Sequence, residues 1–137
     1  AKLKIIFSAH SLPQRILKMG DPYDQQLKAN AEVIAQRLKN MDWTFAYQSA
    51  GATPEPWLGP ALEDMIAPLA QEGYSHVLVV PIGFVCDHVE ILYDLDIEAK
   101  KMAEENGVQL IRTESMNTLP LFIEALADAI EEKLKSP

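Results

Sequence analysis

The chain has 137 residues and a formal net charge of −8, with 48% hydrophobic and 23% charged residues. This length and hydrophobic content suit one folded domain with an ordinary core, and they exclude an intrinsically disordered protein. No segment is basic enough to follow a phosphate backbone, which argues against nucleic-acid binding. The apolar runs are too short to cross a bilayer and no secretory leader opens the sequence, so we expect a soluble cytoplasmic protein.

The first residues bear on domain organisation. The sequence begins at Ala1 rather than at Met, and strand-like residues follow almost at once. Because most domains have a few unstructured residues before their first strand, we expect residues 1–137 to be one domain of a longer protein.

The single cysteine, Cys86, excludes a disulfide framework and any four-cysteine cluster built from this sequence. With no basic neighbour to activate it, Cys86 is predicted to be a small buried residue.

Strand-like and helix-like segments alternate along the chain. In chain order they predict a strand at 4–9, a loop at 10–23, a helix that Asp24 caps and that reaches Leu38, a strand at 43–49, a loop at 50–60, a helix at 62–73 kinked or broken at Pro68, a strand at 76–81, a turn at 83–87, a helix at 88–106, a strand at 108–113 and a helix at 119–134. This order predicts an α/β fold of the flavodoxin-like type, with four parallel strands and helices on both faces. Ligands of such sheets bind beyond the carboxyl ends of the strands.

Three carboxylates follow the third predicted strand at helical spacing, namely Glu90, Asp94 and Glu98. Positions i, i+4 and i+8 share one face of an α-helix, where like charges repel each other. A divalent cation passing along this row would offset the repulsion, since oxygen ligands suit hard and borderline metals. A solvated acidic face near a helix N-terminus is the alternative explanation.

His10 directly follows the first predicted strand, at its carboxyl end, where a neutral imidazole could bind a metal or accept a proton. A hydrogen-bonded structural histidine is the alternative. Strands 1 and 3 are neighbours in a flavodoxin-like sheet, so His10 is predicted to lie opposite Glu90 as a metal or proton-transfer pair. We expect His76, at the opposite end of the sheet, to be structural, and His88 to orient Glu90 or its loop.

Trp57 lies in a loop that three prolines and two glycines restrict. A rigidly held aromatic can form one wall of a flat apolar pocket, although it could equally cover the edge of the core. The sequence contains neither a glycine-rich phosphate loop nor a nucleophile elbow, which argues against an ordinary flavodoxin or a serine hydrolase.

Three segments taken together resemble the signature of ferrochelatases: FSAHSLP at 7–13, YQSAGATPEPWLGP at 47–60 and PIGFVCDHVEILYDLDIEA at 81–99, with GDPY at 20–23 also fitting. The resemblance is closest to the Gram-positive-type coproporphyrin ferrochelatases. It covers only the carboxy-terminal half of that family, whose members have two similar α/β lobes with the porphyrin between them. It therefore implies one chelatase-like lobe without its amino-terminal partner.

The resemblance implies a role for each candidate site residue. His10 matches the catalytic histidine, which contacts the metal or takes the pyrrole protons, and Glu90 matches its acidic partner across the cleft. Asp94 and Glu98 match an acidic path that delivers or holds a second divalent ion. The implied metal set is therefore His10, Glu90, Asp94 and Glu98, and the implied porphyrin-pocket residues are Ser49 and Trp57. The resemblance also implies a widened π-type turn in the helix that carries Glu90.

The implied activity is that of a lyase of haem biosynthesis, which inserts Fe²⁺ into coproporphyrin III or protoporphyrin IX and releases two pyrrole protons. Fe²⁺ is then a substrate, no resident cofactor is expected, and one cysteine cannot hold the [2Fe–2S] cluster of some family members. Porphyrin, Fe²⁺ and the amino-terminal lobe are the expected partners, and the bare lobe is expected to dimerise or aggregate through the surface it exposes.

Two other functions stay open at this point. One is a half-length, homodimeric cobalt or nickel chelatase acting on sirohydrochlorin, although such enzymes typically pair two histidines where this chain offers Glu90. The other is a non-catalytic lobe that binds metal or haem.

Overall fold

In the computed structural model, which describes residues 1–136, four strands form one parallel sheet. They are β1 (Leu3–His10), β2 (Trp43–Gln48), β3 (His76–Val80) and β4 (Gln109–Arg112). Their order across the sheet is β2-β1-β3-β4, and each neighbouring pair is parallel. This arrangement confirms the predicted flavodoxin-like sheet, with β1 and β3 side by side.

The helices are α1 (Arg15–Lys18), α2 (Tyr23–Ala35), α3 (Leu62–Gln71), α4 (Val89–Leu92), a π-helix (Asp94–Ala99), α5 (Lys100–Glu105) and α6 (Pro120–Lys135). The short α1 lies inside a segment that was predicted to be a loop. Asp24 does not cap α2, because the Tyr23 N–H donates to Asp21 Oδ1 at 2.9 Å. None of the helices within residues 1–136 combines the length and the hydrophobicity that a membrane span needs.

The single α-helix predicted at 88–106 is wrong, because α4, the π-helix and α5 occupy that segment in succession. The N–H groups of Ile97 and Glu98 both donate to the Tyr93 carbonyl, at 3.1 and 3.0 Å. The second of these bonds spans five residues, which widens the turn. The family resemblance predicted such a turn and the structure confirms it, whereas residue spacing alone gave no sign of it.

Both faces of the sheet are covered, as predicted. On one face Ile6 of β1 and Val79 of β3 are buried in a cluster with Ile66 of α3 and Leu95 of the π-helix. On the other face Phe7 is buried in a cluster with residues of α2 and β2. The alternation of side chains along β1 sends neighbouring residues into opposite cores.

The last helix, α6, forms as predicted, but no residue in it is buried. Three members of its apolar stripe, Ile123, Leu126 and Ile130, are 47%, 47% and 61% exposed. An apolar stripe on a surface helix ordinarily packs against a core. The helix thus presents an unpacked apolar face at the carboxy-terminal end of the described chain.

Gly83 brings the loop after β3 against the end of β1. Its N–H donates to the Ser8 carbonyl at 3.1 Å. A Cβ at this position would clash with Ala9 Cβ and would lie 2.9 Å from Ala9 Cα. Only glycine permits this approach of two backbone segments, directly beside His10.

We predict that Gly83→Ala destabilises the fold by about 1–3 kcal/mol, because the added methyl group forces the two backbone segments apart. Urea unfolding followed by circular dichroism measures the change. Gly59→Ala is the matched control, since a Cβ there would lie 3.5 Å from the Ala61 nitrogen, an ordinary contact. Equal stability of the two variants would contradict the prediction.

Candidate functional site

The candidate site lies at the carboxyl ends of β1 and β2, whose last residues, His10 and Gln48, are paired in the sheet register. The segment after His10 is tied to the loop that carries Trp57. The Ser11 hydroxyl donates to the Leu58 carbonyl at 2.7 Å, and the Leu58 N–H donates to the Leu12 carbonyl at 2.8 Å. Two signature segments that are far apart in sequence therefore form one edge of the site.

The half-buried imidazole of His10 is held in a defined tautomer. Its Nδ1 lies 2.5 Å from the Ser11 carbonyl oxygen. A carbonyl oxygen only accepts, so Nδ1–H is the donor, and in the neutral ring Nε2 keeps its lone pair. The Tyr23 hydroxyl donates to the His10 carbonyl at 2.8 Å and fixes the backbone below the ring. Nε2 is therefore the atom of His10 that can take a proton or a metal.

Glu90 begins the helical segment on the other side of the site, and His88 contacts it directly. His88 Nδ1 lies 2.7 Å from Glu90 Oε2. The pKa of Glu90 is lowered by a hydrogen bond from its own backbone N–H, by His88 and by the charge of His10. The Glu90 carbonyl accepts a hydrogen bond from Gln48, the register partner of His10, so the two predicted catalytic residues lie at the same edge of the sheet.

Phe84 lies between the two histidines. Its ring centroid is 6.5 Å from that of His10 and 4.8 Å from that of His88, both in edge-on arrangements. Sequence analysis missed Phe84, since a single aromatic residue in a turn carries no distinctive pattern. The ring supplies an apolar contact that spaces the two imidazoles.

Asp94 and Glu98 lie in the π-helix that follows α4. They line a cavity of about 340 Å³ together with Ser49 and Gln48. The Ser49 hydroxyl donates to Asp94 Oδ2, and Ser49 adopts a φ of +60° to do so. The prediction of a regular row of three carboxylates on one α-helical face is wrong, because Asp94 and Glu98 lie in the π-helix, where the Glu98 N–H donates to the carbonyl of Tyr93, five residues earlier.

Gln48 is a second residue that sequence analysis missed. Its buried side chain accepts a hydrogen bond from the Ser8 hydroxyl at 2.9 Å and donates one to the Glu90 carbonyl at 2.8 Å. A polar residue that ends an aromatic strand was the available signal. Gln48 ties the end of β2 to the backbone of the residue whose carboxylate enters the site.

Trp57 is half-buried, and its indole lies against Gly51, where an added Cβ would come within 2.5 Å of the ring. The indole N–H donates to the Thr53 hydroxyl at 3.0 Å. These contacts hold the ring within its own loop. Its predicted contact with a porphyrin stays a prediction.

The remaining candidates divide between the two ends of the sheet. His76 is the first residue of β3, at the amino end, and its Nδ1 lies 2.8 Å from the Ser75 hydroxyl, which suits the structural role predicted for it. The prediction that Cys86 is buried is wrong, because the turn after β3 leaves it exposed.

Within residues 1–136, no three His, Cys, Asp or Glu side chains converge closely enough to hold a metal ion. The metal-ligand roles stay predictions.

We predict that His88→Ala raises the pKa of Glu90 part of the way toward its ordinary value, because the hydrogen bond from its own N–H remains. A carbon-13 NMR titration of the Glu90 carboxyl group measures this shift. His76→Ala, at the far end of the sheet, should leave the Glu90 pKa unchanged. An unchanged pKa in His88→Ala would show that His88 does not stabilise the carboxylate.

Known proteins resemble this chain in sequence and in fold. The ferrochelatase family model matches residues 1–134. A ferrochelatase from Herpetosiphon aurantiacus is 53% identical over 129 residues, which are 94% of this chain and 42% of that protein. A coproporphyrin III ferrochelatase from Geobacillus sp. WCH70 is 48% identical over 135 residues, 98% of this chain and 44% of that protein. The chain thus spans less than half the length of these curated relatives.

Among solved structures, a putative cobalamin biosynthesis CbiX protein from Marinobacter aquaeolei VT8 superposes with a TM-score of 0.67 at 20% identity, covering 97% of this chain and 98% of that one. At this identity the likeness shows the fold alone, a chelatase-like α/β lobe. The family model, in contrast, matches the sequence over residues 1–134, which include all the signature segments, and so identifies the family. The chain belongs to the ferrochelatase family.

Proposed function

We propose that this chain is the carboxy-terminal, metal-handling lobe of a ferrochelatase, the lyase that inserts Fe²⁺ into coproporphyrin III or protoporphyrin IX in haem biosynthesis. One observation carries the proposal. The His10 imidazole, whose Nε2 is left to accept, lies at the same carboxyl edge of the sheet as Glu90, whose carbonyl accepts a hydrogen bond from Gln48, the register partner of His10. The names and the sequence similarity of the relatives support the choice of reaction.

Metal insertion must remove two protons from the pyrrole nitrogens of the porphyrin. In the proposed reaction His10 Nε2 accepts one pyrrole proton, releases it to solvent water and then accepts the second, since Nδ1 is already committed to the Ser11 carbonyl. Glu90 then stabilises the imidazolium that forms, because a nearby negative charge favours the charged ring. His88 and the Glu90 N–H keep the Glu90 carboxylate ionised for this purpose.

Asp94 and Glu98 are proposed to hold or deliver the divalent metal ion. Their carboxylates share one cavity, and the Ser49 hydroxyl restrains Asp94. Oxygen donors bind Fe²⁺ only moderately, which suits a metal that must leave for the porphyrin. Trp57 is proposed as an apolar wall for the flat ring, at the edge where its loop meets the segment after His10.

Location, partners and cofactors belong to the same proposal. Fe²⁺ is the substrate and no resident cofactor is required. The porphyrin lies between this lobe and an amino-terminal lobe, and the protein works in the cytoplasm. The cobalt or nickel chelatase alternative finds support only in the shared fold, and Glu90 stands where such enzymes typically place a second histidine.

We predict that His10→Ala lowers the rate of metal insertion at least about 100-fold, because the general base is lost. The assay mixes the 137-residue chain with coproporphyrin III and Zn²⁺ or anaerobic Fe²⁺, and follows the absorbance of the metalloporphyrin. A parallel assay adds the part of the Herpetosiphon aurantiacus ferrochelatase that this chain does not match, to supply a first lobe.

His76→Ala is the matched control, since it removes a histidine from the far end of the same sheet. Insertion by the chain alone would show that one lobe holds the whole catalytic apparatus. Insertion only with the added lobe would show that the chemistry needs both. Insertion that His10→Ala leaves intact would overturn the role of His10.

We also propose that the isolated lobe self-associates through the exposed apolar stripe of α6. We predict a dimer in size-exclusion chromatography with light scattering at high concentration, and Ile130→Glu should shift it to monomer, because a charge replaces an exposed apolar contact. Val33→Glu is the matched control, since Val33 is also an exposed apolar residue but lies on α2. A clean monomer at high concentration would contradict the prediction.

A further inference from the structure

Arg112, the last residue of β4, contacts the segment that carries the candidate site through two acidic side chains. Its side chain is only 14% exposed. Nε and Nη2 donate to the two carboxylate oxygens of Asp96, at 2.6 and 2.7 Å. Nη1 donates to the Thr113 carbonyl at 3.0 Å and lies 3.7 Å from Asp87 Oδ1. One planar guanidinium therefore reaches two acidic residues that lie nine positions apart in the chain.

The two acidic partners of Arg112, Asp87 and Asp96, lie on either side of Glu90 and Asp94 in the sequence. Asp87 immediately precedes His88, the cap of α4, and Asp96 lies in the π-helix, so Glu90 and Asp94 fall between them. Asp87 is held further by Asn117, whose side chain accepts from the Asp87 N–H at 2.9 Å and donates to its carboxylate at 3.2 Å. Both ends of the segment are thus fastened to β4 and the loop that follows it.

The π-helix distributes its carboxylates over two flanks. Asp94 and Glu98 line the cavity that contains Ser49, whereas Asp96 lines a different cavity together with Arg112. Isolated π-turns are rare and appear mostly at functional sites. A bidentate arginine–carboxylate pair fixes orientation as well as charge. Asp96 therefore faces the flank of Arg112, and Asp94 and Glu98, two residues before and after it, face the other flank.

We propose that Arg112 is a positioning residue, which sets the orientation of the π-helix through Asp96 and Asp87 and thereby directs Asp94 and Glu98 toward the metal ion. This inference rests on the proposed metal-handling function of the lobe. It assigns to Arg112 a role in metal affinity, although the guanidinium itself would never touch the metal.

The test is isothermal titration of the full chain with Zn²⁺. Removing a positive charge should by simple electrostatics strengthen the binding of a cation. If Arg112 positions the carboxylates, its removal has the opposite effect on affinity. Arg112→Gln should then weaken Zn²⁺ binding about 10-fold, as loss of a residue that orients metal ligands typically does. Arg112→Lys should also bind more weakly than wild type, because one ammonium group cannot reproduce the bidentate contact.

Arg15→Gln is the control for charge, since the exposed Arg15 pairs with Glu55 away from these carboxylates. A second readout is hydrogen exchange at the Glu98 amide, which should become faster in Arg112→Gln and in Arg112→Lys. Urea unfolding of each variant identifies any loss of folding, and if Arg112→Gln does not fold, Arg112→Lys decides the question.

The outcomes separate this inference from the function on which it rests. Zn²⁺ binding that is absent in wild type, or that the double variant Asp94→Asn, Glu98→Gln leaves unchanged, would overturn the metal-handling proposal and the role of Arg112 with it. Binding that depends on those carboxylates but is unchanged or tighter in both Arg112 variants would overturn the positioning role alone. Weaker binding with faster exchange at Glu98 would support it.

Discussion

The central position of β1 in the parallel sheet is the constraint on which the candidate site depends. β1 pairs with β2 on one side and with β3 on the other, so three strands end at the same edge. His10 and the end of β2 are thereby adjacent, and the loop after β3 packs on β1 where Gly83 leaves no room for a side chain. Phe84, the residue after Gly83, contacts both His10 and His88, so the segment that leads to Glu90 starts near the imidazole of His10.

Buried and half-buried hydrogen bonds then restrict the positions of the site residues. The Gln48 side chain joins β1 to the backbone of Glu90, and the Ser49 hydroxyl joins the end of β2 to Asp94. Buried polar groups are costly when unpaired, so each of these bonds restricts the positions that its partners can take. Arg112 acts in the same manner from the opposite flank, through Asp96. The proposed metal-handling carboxylates are thus held between two sets of polar contacts.

The apolar stripe of α6, in contrast to the site, contains no buried residue in the described chain. Exposure of these apolar side chains to water is unfavourable, and their spacing is that of a helix that packs against a core. The chain also spans only 42% and 44% of two ferrochelatase relatives. The exposed apolar stripe therefore belongs to a chain that spans less than half the length of these relatives.

The sequence by itself determined the order of strands and helices, the parallel sheet, the position of His10 at a strand end and the family. These depend on local patterns: apolar runs, helical spacing, and signature segments such as FSAHSLP at 7–13. The tertiary structure decided that Nδ1 of His10 is committed to the Ser11 carbonyl, that Asp94 and Glu98 lie in a π-helix and share one cavity, and that Cys86 is exposed. It also decided which residue holds the π-helix. The physical reason is that such features depend on contacts between distant residues, as from Ser49 to Asp94 or from Arg112 to Asp87, and no local pattern in a single sequence reports them.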